Sequence, residues 1–137
     1  MRRVVFIKSN LLPISEVFIK EQVLALQNWI PILMGENYVY DGLDLTGIDT
    51  IIYNQSQSYF NKKMNKIRDL LYCYNSKMFS SLKKINPDIA HIGHLNHLST
   101  GLVDELNSLN IPIVFTLHDF WLMCPRGQFL TRSIGPN

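Results

Sequence analysis

At 137 residues, 47% of them hydrophobic and 18% charged, the chain has the size of one domain and the composition of an ordinary globular protein, which excludes the disordered and fibrous classes. No uncharged apolar run reaches the ~18 residues that suggest a membrane span, and the apolar stretch behind the two opening arginines soon meets Lys8, so neither a span nor a signal peptide is read. The formal net charge of +2 is unevenly spread: residues 56–85 hold seven basic groups and one acid, giving +6, and the remainder holds six basic and ten acidic groups, giving −4.

In chain order, Val4, Val5, Phe6 and Ile7 form a short apolar run followed by a Ser-Asn-Leu-Leu-Pro turn, as for a first strand buried on both faces. Ser15 as N-cap, Glu16 in the first turn and an Ile14–Ile19 staple predict a helix over 16–28. Pro31 stops it, and Ile32, Leu33 and Met34 before Gly35 form a second strand. Residues 36–49 read as an excursion or hairpin before a third strand, Thr50, Ile51, Ile52 and Tyr53. Phe60, Met64, Ile67, Leu71, Tyr74, Met78, Leu82 and Ile85 recur at steps of three and four, the clearest helical face in the chain. Asn86-Pro87 ends that helix. A fourth strand over 89–92, a helix over 99–109 and a fifth strand over 113–117 complete the pattern. Brief apolar strands alternating with helices predict an α/β domain, a Rossmann-like parallel sheet flanked by helices over residues 1–137.

In such a sheet ligands bind beyond the carboxyl ends of the strands, so the polar residues just after each apolar run carry the functional expectation. These are Ser9 and Asn10, then His91, Gly93, His94 and His97, then His118 and Asp119. The first turn lacks G-x-G-x-x-G, which disfavours a dinucleotide enzyme, and no G-x-x-x-x-G-K-[ST] occurs. The histidines admit three readings: hydrogen-bonded residues at a strand terminus, a metal site, or imidazoles that donate to and accept from sugar hydroxyls. The metal reading is the weakest, since H-x-x-H-x-x-H from a strand end does not converge and no carboxylate flanks it. The segment 115–129, FTLHDFWLMCPRGQF, is the most distinctive: His118 and Asp119 leave the sheet at its ligand-binding end, two aromatics follow, and Arg126-Gly127 offers a guanidinium on a turn. Cys124 near Arg126 suggests a cysteine nucleophile with His118 as base, but nothing supplies an orienting group or an oxyanion site. Cys73 and Cys124 match no disulfide or metal spacing and are read as free thiols.

Taken in order, P-I-S-E-V-F-I-K-E-Q-V-L-A-L from Pro13, P-D-I-A-H-I-G-H from Pro87 and I-P-I-V-F-T-L-H-D-F-W-L-M-C-P-R-G-Q from Ile111 resemble the amino-terminal domain of GT-B fold glycosyltransferases, of the retaining family 4 type found in bacterial polysaccharide assembly. The resemblance implies a cleft between two Rossmann-like domains, the first holding a glycan or lipid-linked acceptor and the second a nucleotide-sugar donor. It implies His118 as the strand-end residue facing the transferred sugar, with Asp119 beside it. His91 and His94 fall on the acceptor side. Arg126 is counted among the substrate-binding residues for its guanidinium on the turn, not from the resemblance. Ser9 and Asn10 stand where many members have a glycine-bearing loop near the donor phosphates, a departure from the pattern. The basic pair and paired glutamates of the second domain are not in this sequence, so a fragment ending at Asn137 is expected to transfer nothing by itself. No metal cofactor is implied; the nucleotide sugar enters as substrate.

At about 100° per residue, Lys62, Lys63, Lys66, Lys77 and Lys84 fall within one arc beside the apolar helix face, which suits anionic lipid headgroups or an ordinary solvated face. The expectation is a cytoplasmic protein, peripheral on the membrane, with no nucleic-acid partner. Self-association through the uncovered interdomain face is also expected. The alternative is a noncatalytic glycan-, lipid- or protein-binding module.

Overall fold

The computed structural model describes residues 1–11, 17–38, 45–53, 76–95, 98–118 and 123. Five strands, β1 (Arg2–Leu11), β2 (Trp29–Tyr38), β3 (Asp49–Ile52), β4 (Ile89–Ile92) and β5 (Ile113–Phe115), pair in parallel in the order β3-β2-β1-β4-β5. Three helices are described: α1 (Val17–Leu24), α2 (Ser76–Ile85) and α3 (Gly101–Ser108). The chain is therefore an α/β protein with a Rossmann-like sheet. Strand order reverses between β1 and β4, which makes the carboxyl ends of those two strands the switch point.

Right-handed crossovers decide which face each connection covers. On one face Val4, Phe6 and Leu33 pack with Ile19 and Val23 of α1 and with Ile48. The opposite face is covered by α2 and α3, whose Met78, Leu82, Leu102 and Leu106 pack on Val5, Ile7, Ile32, Met34, Ala90 and Ile92. Strands near the centre of the sheet bury both faces, which is why β1 and β4 read as nearly continuous apolar runs.

Both α2 and α3 stop by the same device. Asn86 and Asn110 adopt left-handed backbone, with φ of 47° and 56°, and a proline follows each within two residues. Asn86 N–H donates to Leu82 O at 2.8 Å. After α3, Ile111 N–H donates to Leu106 O and Asn110 N–H to Asn107 O, each at 3.0 Å, the Schellman pattern. These turns feed the chain directly into β4 and β5.

Several boundaries differ from the sequence expectation. Strand β1 does not turn at Ser9 and Asn10: it runs on to Leu11, because β2 stays paired with it as far as Leu11↔Tyr38. Backbone hydrogen bonding extends the strand past the apolar run. Leu11 nevertheless joins the cluster of Val4 and Phe6, an odd number of residues back, so side-chain alternation breaks between Lys8 and Leu11. Strand β2 likewise runs beyond 32–34 at both ends and contains Pro31. Tyr53 N–H donates to Gly35 O, so odd-numbered residues of β2 direct their polar groups toward β3. The β2–β3 ladder begins only at Ile32, and the missing N–H of Pro31 falls before any partner. Helix α1 ends at Leu24 rather than 28, with a tightened Leu26 N–H to Val23 O bond of 3.3 Å. Strand β5 stops at Phe115, since β4 has already ended at Ile92. The helix expected over 60–85 is described only from Ser76, and Ser15, Glu16 and Ile14 also lie outside the described residues.

Candidate functional site

The β1–β4 ladder ends at Ile7↔Ile92, while β1 continues to Leu11. A step is left at the switch point, with β1 rising on one side and the ends of β4 and β5 lying lower on the other. His91 sits on the last turn of pleat in β4, on the face that carries Phe6. Its ring meets the Phe6 ring edge-on at a centroid distance of 4.7 Å and an interplanar angle of 62°. Its Nε2 lies 2.7 Å from Thr116 Oγ1 at the end of β5, and Thr116 N–H donates to Ile92 O at 3.0 Å. These bonds tie the ends of β4 and β5 together.

His118 lies just beyond, exposed. Its ring packs on Phe18 of α1 with centroids 4.7 Å apart. Its Cδ2 and Nε2 lie 3.2 Å from where a Cβ would stand on Gly93. Burial lowers the His91 pKa from its ordinary 6.5, and the neighbouring His118 charge lowers it further. At neutral pH His91 is a neutral imidazole, able to accept as well as donate a hydrogen bond.

The switch point thus brings together His91, Gly93 and His118 of the sequence-predicted residues. Ser9 and Asn10 lie on the rising end of β1, within the strand rather than in a loop. His94 follows β4, partly buried and engaged by a partner. Asp119, Arg126, His97, Cys73 and Cys124 lie outside the described residues, as do Lys62, Lys63 and Lys66. Lys77 and Lys84 are exposed on α2. Lys83 and Lys84 occupy its last turn, where a cation also complements the helix dipole.

Three contributors were missed in the sequence. Thr116 stood within the fifth apolar strand and Phe18 within the first helix, with nothing in the sequence to mark either. Lys8, at the carboxyl end of β1, is only 6% exposed and has a partner; its unusual placement is visible in sequence only as a charge ending an apolar run. Among the described residues no three His, Cys, Asp or Glu side chains gather as a metal group, and no helix there is long and apolar enough to cross a membrane.

Concavities open on the sheet face next to His91 and at the opposite end of the sheet. An apolar groove of about 170 Å³ runs along the sheet face between Phe6, Trp29, Ile89 and Val114, with His91 at its edge. A larger cavity of about 650 Å³ lies near the amino ends of the strands, between Arg3, Asp49, Thr50, Ser81 and Lys84. The histidines are at the other end of the sheet, where the switch point exposes strand ends to a ligand. We therefore place the candidate site there rather than in the larger cavity.

No family model, curated protein or solved structure matches this chain.

Proposed function

We propose that this chain is the acceptor-side domain of a retaining, nucleotide-sugar-dependent GT-B glycosyltransferase acting in polysaccharide biosynthesis. The observation that carries the reading is the pairing of His91 and His118 at the switch point. An exposed imidazole beside a neutral, partly buried one can exchange hydrogen bonds with several hydroxyls of a sugar. The resemblance of 111–128 to the family supplies the direction of the reading, with His118 facing the transferred sugar and Asp119 next to it. Transfer itself needs a diphosphate leaving group and an acceptor hydroxyl oriented on one face, geometry that two halves of a cleft supply together. In this reading Ser9, Asn10, His94 and Arg126 contribute to binding, and no metal is required.

The test is an NMR titration of the chain with UDP-glucose, GDP-mannose and a cellotriose acceptor, following the histidine ring protons. The reading expects His91 and His118 to shift with at least one of the three, and His118→Ala to weaken that binding several-fold. Shifts confined to residues lining the amino-end cavity, or none with any ligand, would sink it.

Lys62, Lys63, Lys66, Lys77 and Lys84 are proposed to hold the domain against anionic lipid on the cytoplasmic membrane face. Replacing all five with glutamine should abolish sedimentation with phosphatidylglycerol vesicles while leaving the circular dichroism unchanged. Equal sedimentation of variant and parent refutes the membrane role.

A noncatalytic binding module is the second reading, favoured by the apolar groove along Phe6, Ile89 and Val114. It is distinguished by His118→Ala, which leaves binding through that groove intact.

A further inference from the structure

The geometry points to Phe18 and Gly93 as positioning residues for His118: one supplies a ring and the other an absent side chain, and together they seat the imidazole at the mouth of the β1/β4 step. Among the described residues, no backbone hydrogen bond holds Leu117 or His118. Strand β5 has ended at Phe115, and the Thr116 N–H to Ile92 O bond is the last main-chain link described before it. Leu117 next to it is 57% exposed. An exposed side chain on such a segment keeps one orientation only through its own contacts.

Phe18 supplies one of them. Helix α1 docks on the sheet through Ile19 and Val23, both buried, whereas Phe18 stays 38% exposed. Its ring is tilted 58° to that of His118 at 4.7 Å, within the range where aromatic pairs attract beyond their simple burial. Gly93 supplies the other side. Its backbone is not in the left-handed region, so chain conformation does not call for glycine there. What glycine provides is room, because a Cβ would stand 3.2 Å from both Cδ2 and Nε2 of His118. That spacing is tighter than ordinary van der Waals contact, and one of the two groups would have to move. His91, held by Thr116, stands close enough for its charge to oppose that of His118.

Seating the ring before a ligand arrives reduces the ordering cost of binding. That benefit to a sugar substrate rests on the transferase reading; the seat does not.

The experiment uses the 137-residue chain without ligand. Histidine ring protons are followed through a pH titration in the parent and in Phe18→Leu, Phe18→Tyr and Gly93→Ala, with circular dichroism confirming each fold. In the parent, nuclear Overhauser contacts from the His118 ring to Gly93 Hα and to the Phe18 ring are expected. Phe18→Leu and Gly93→Ala should each raise the His91 midpoint, because His118 and its charge move away, and Phe18→Tyr should restore the parent value. Unchanged His91 titration in both disruptive variants overturns the seat, as does absence of the parent contacts. A shift in Gly93→Ala alone overturns the part assigned to Phe18. Since none of these readings involves a ligand, they separate failure of the seat from failure of the transferase reading.

Discussion

His91 makes a hydrogen bond to Thr116 and packs against Phe6, and it is the burial of this position, followed by the nearby His118 charge, that favours its neutral ring. Its pKa is lowered in the folded chain, so the unfolded state binds more protons over the window just below 6.5. The stability His91 contributes is fully present above that value and is lost as pH falls through the lower folded-state pKa. Chemical denaturation of the parent should therefore show stability falling with decreasing pH, with a slope from this group below the ~1.4 kcal/mol per pH unit of one whole proton. His91→Gln should flatten that part of the profile. An undiminished slope in the variant would assign the effect to other groups. Thr116→Val removes the partner of Nε2 and should cost about 1 kcal/mol at neutral pH.

The strands and helices differ in what fixes their ends. Helix ends are local: Asn86 and Asn110 turn left-handed, the freed carbonyls of Leu82 and Leu106 are satisfied, and proline prevents continuation. Strand ends are set by the neighbour, as Leu11 on β1 and Phe115 on β5 demonstrate from opposite directions. Gly35 of β2 makes the extension of β1 sterically feasible. A Cβ there would fall inside the Leu11 side chain, which is fully buried over it. Gly35→Ala should destabilise the chain by about 1–3 kcal/mol through overpacking. Leu11→Ala alone should cost about 2–5 kcal/mol, and the double variant should cost less than the sum, as expected for residues in direct contact. Strict additivity in urea denaturation would show that the two do not share that space.

Across the whole molecule, α2 and α3 lie on one face of the sheet and α1 on the other. The α2–α3 face holds the larger cluster, and Leu82 is fully buried within it. Leu82→Ala should therefore cost about 2–5 kcal/mol in global stability. Arg3 links three elements at the amino end: its Nη1 donates to Ile85 O at the end of α2, and its backbone N–H donates to Asp88 Oδ2 ahead of β4, both at 2.7 Å. The opposite end has no comparable clasp between α1 and β5 except the Phe18–His118 contact, among the described residues.

The sequence by itself determined the element order, the parallel α/β class and the span of β4, because apolar runs bounded by Asn-Pro and Gly are local signals. It also singled out His91, Gly93 and His118, since polar residues following buried strands are conspicuous in composition alone. The tertiary structure decided how these three meet. That outcome depends on β4 and β5 being neighbours, on β5 ending where β4 ends, and on α1 presenting Phe18 across the sheet. It also showed that Ser9 and Asn10 are strand residues, because their conformation follows from pairing with β2, a partner separated from them by a helix. Pairing and packing are interactions between segments distant in sequence, and no local pattern in either segment encodes where the other one stops.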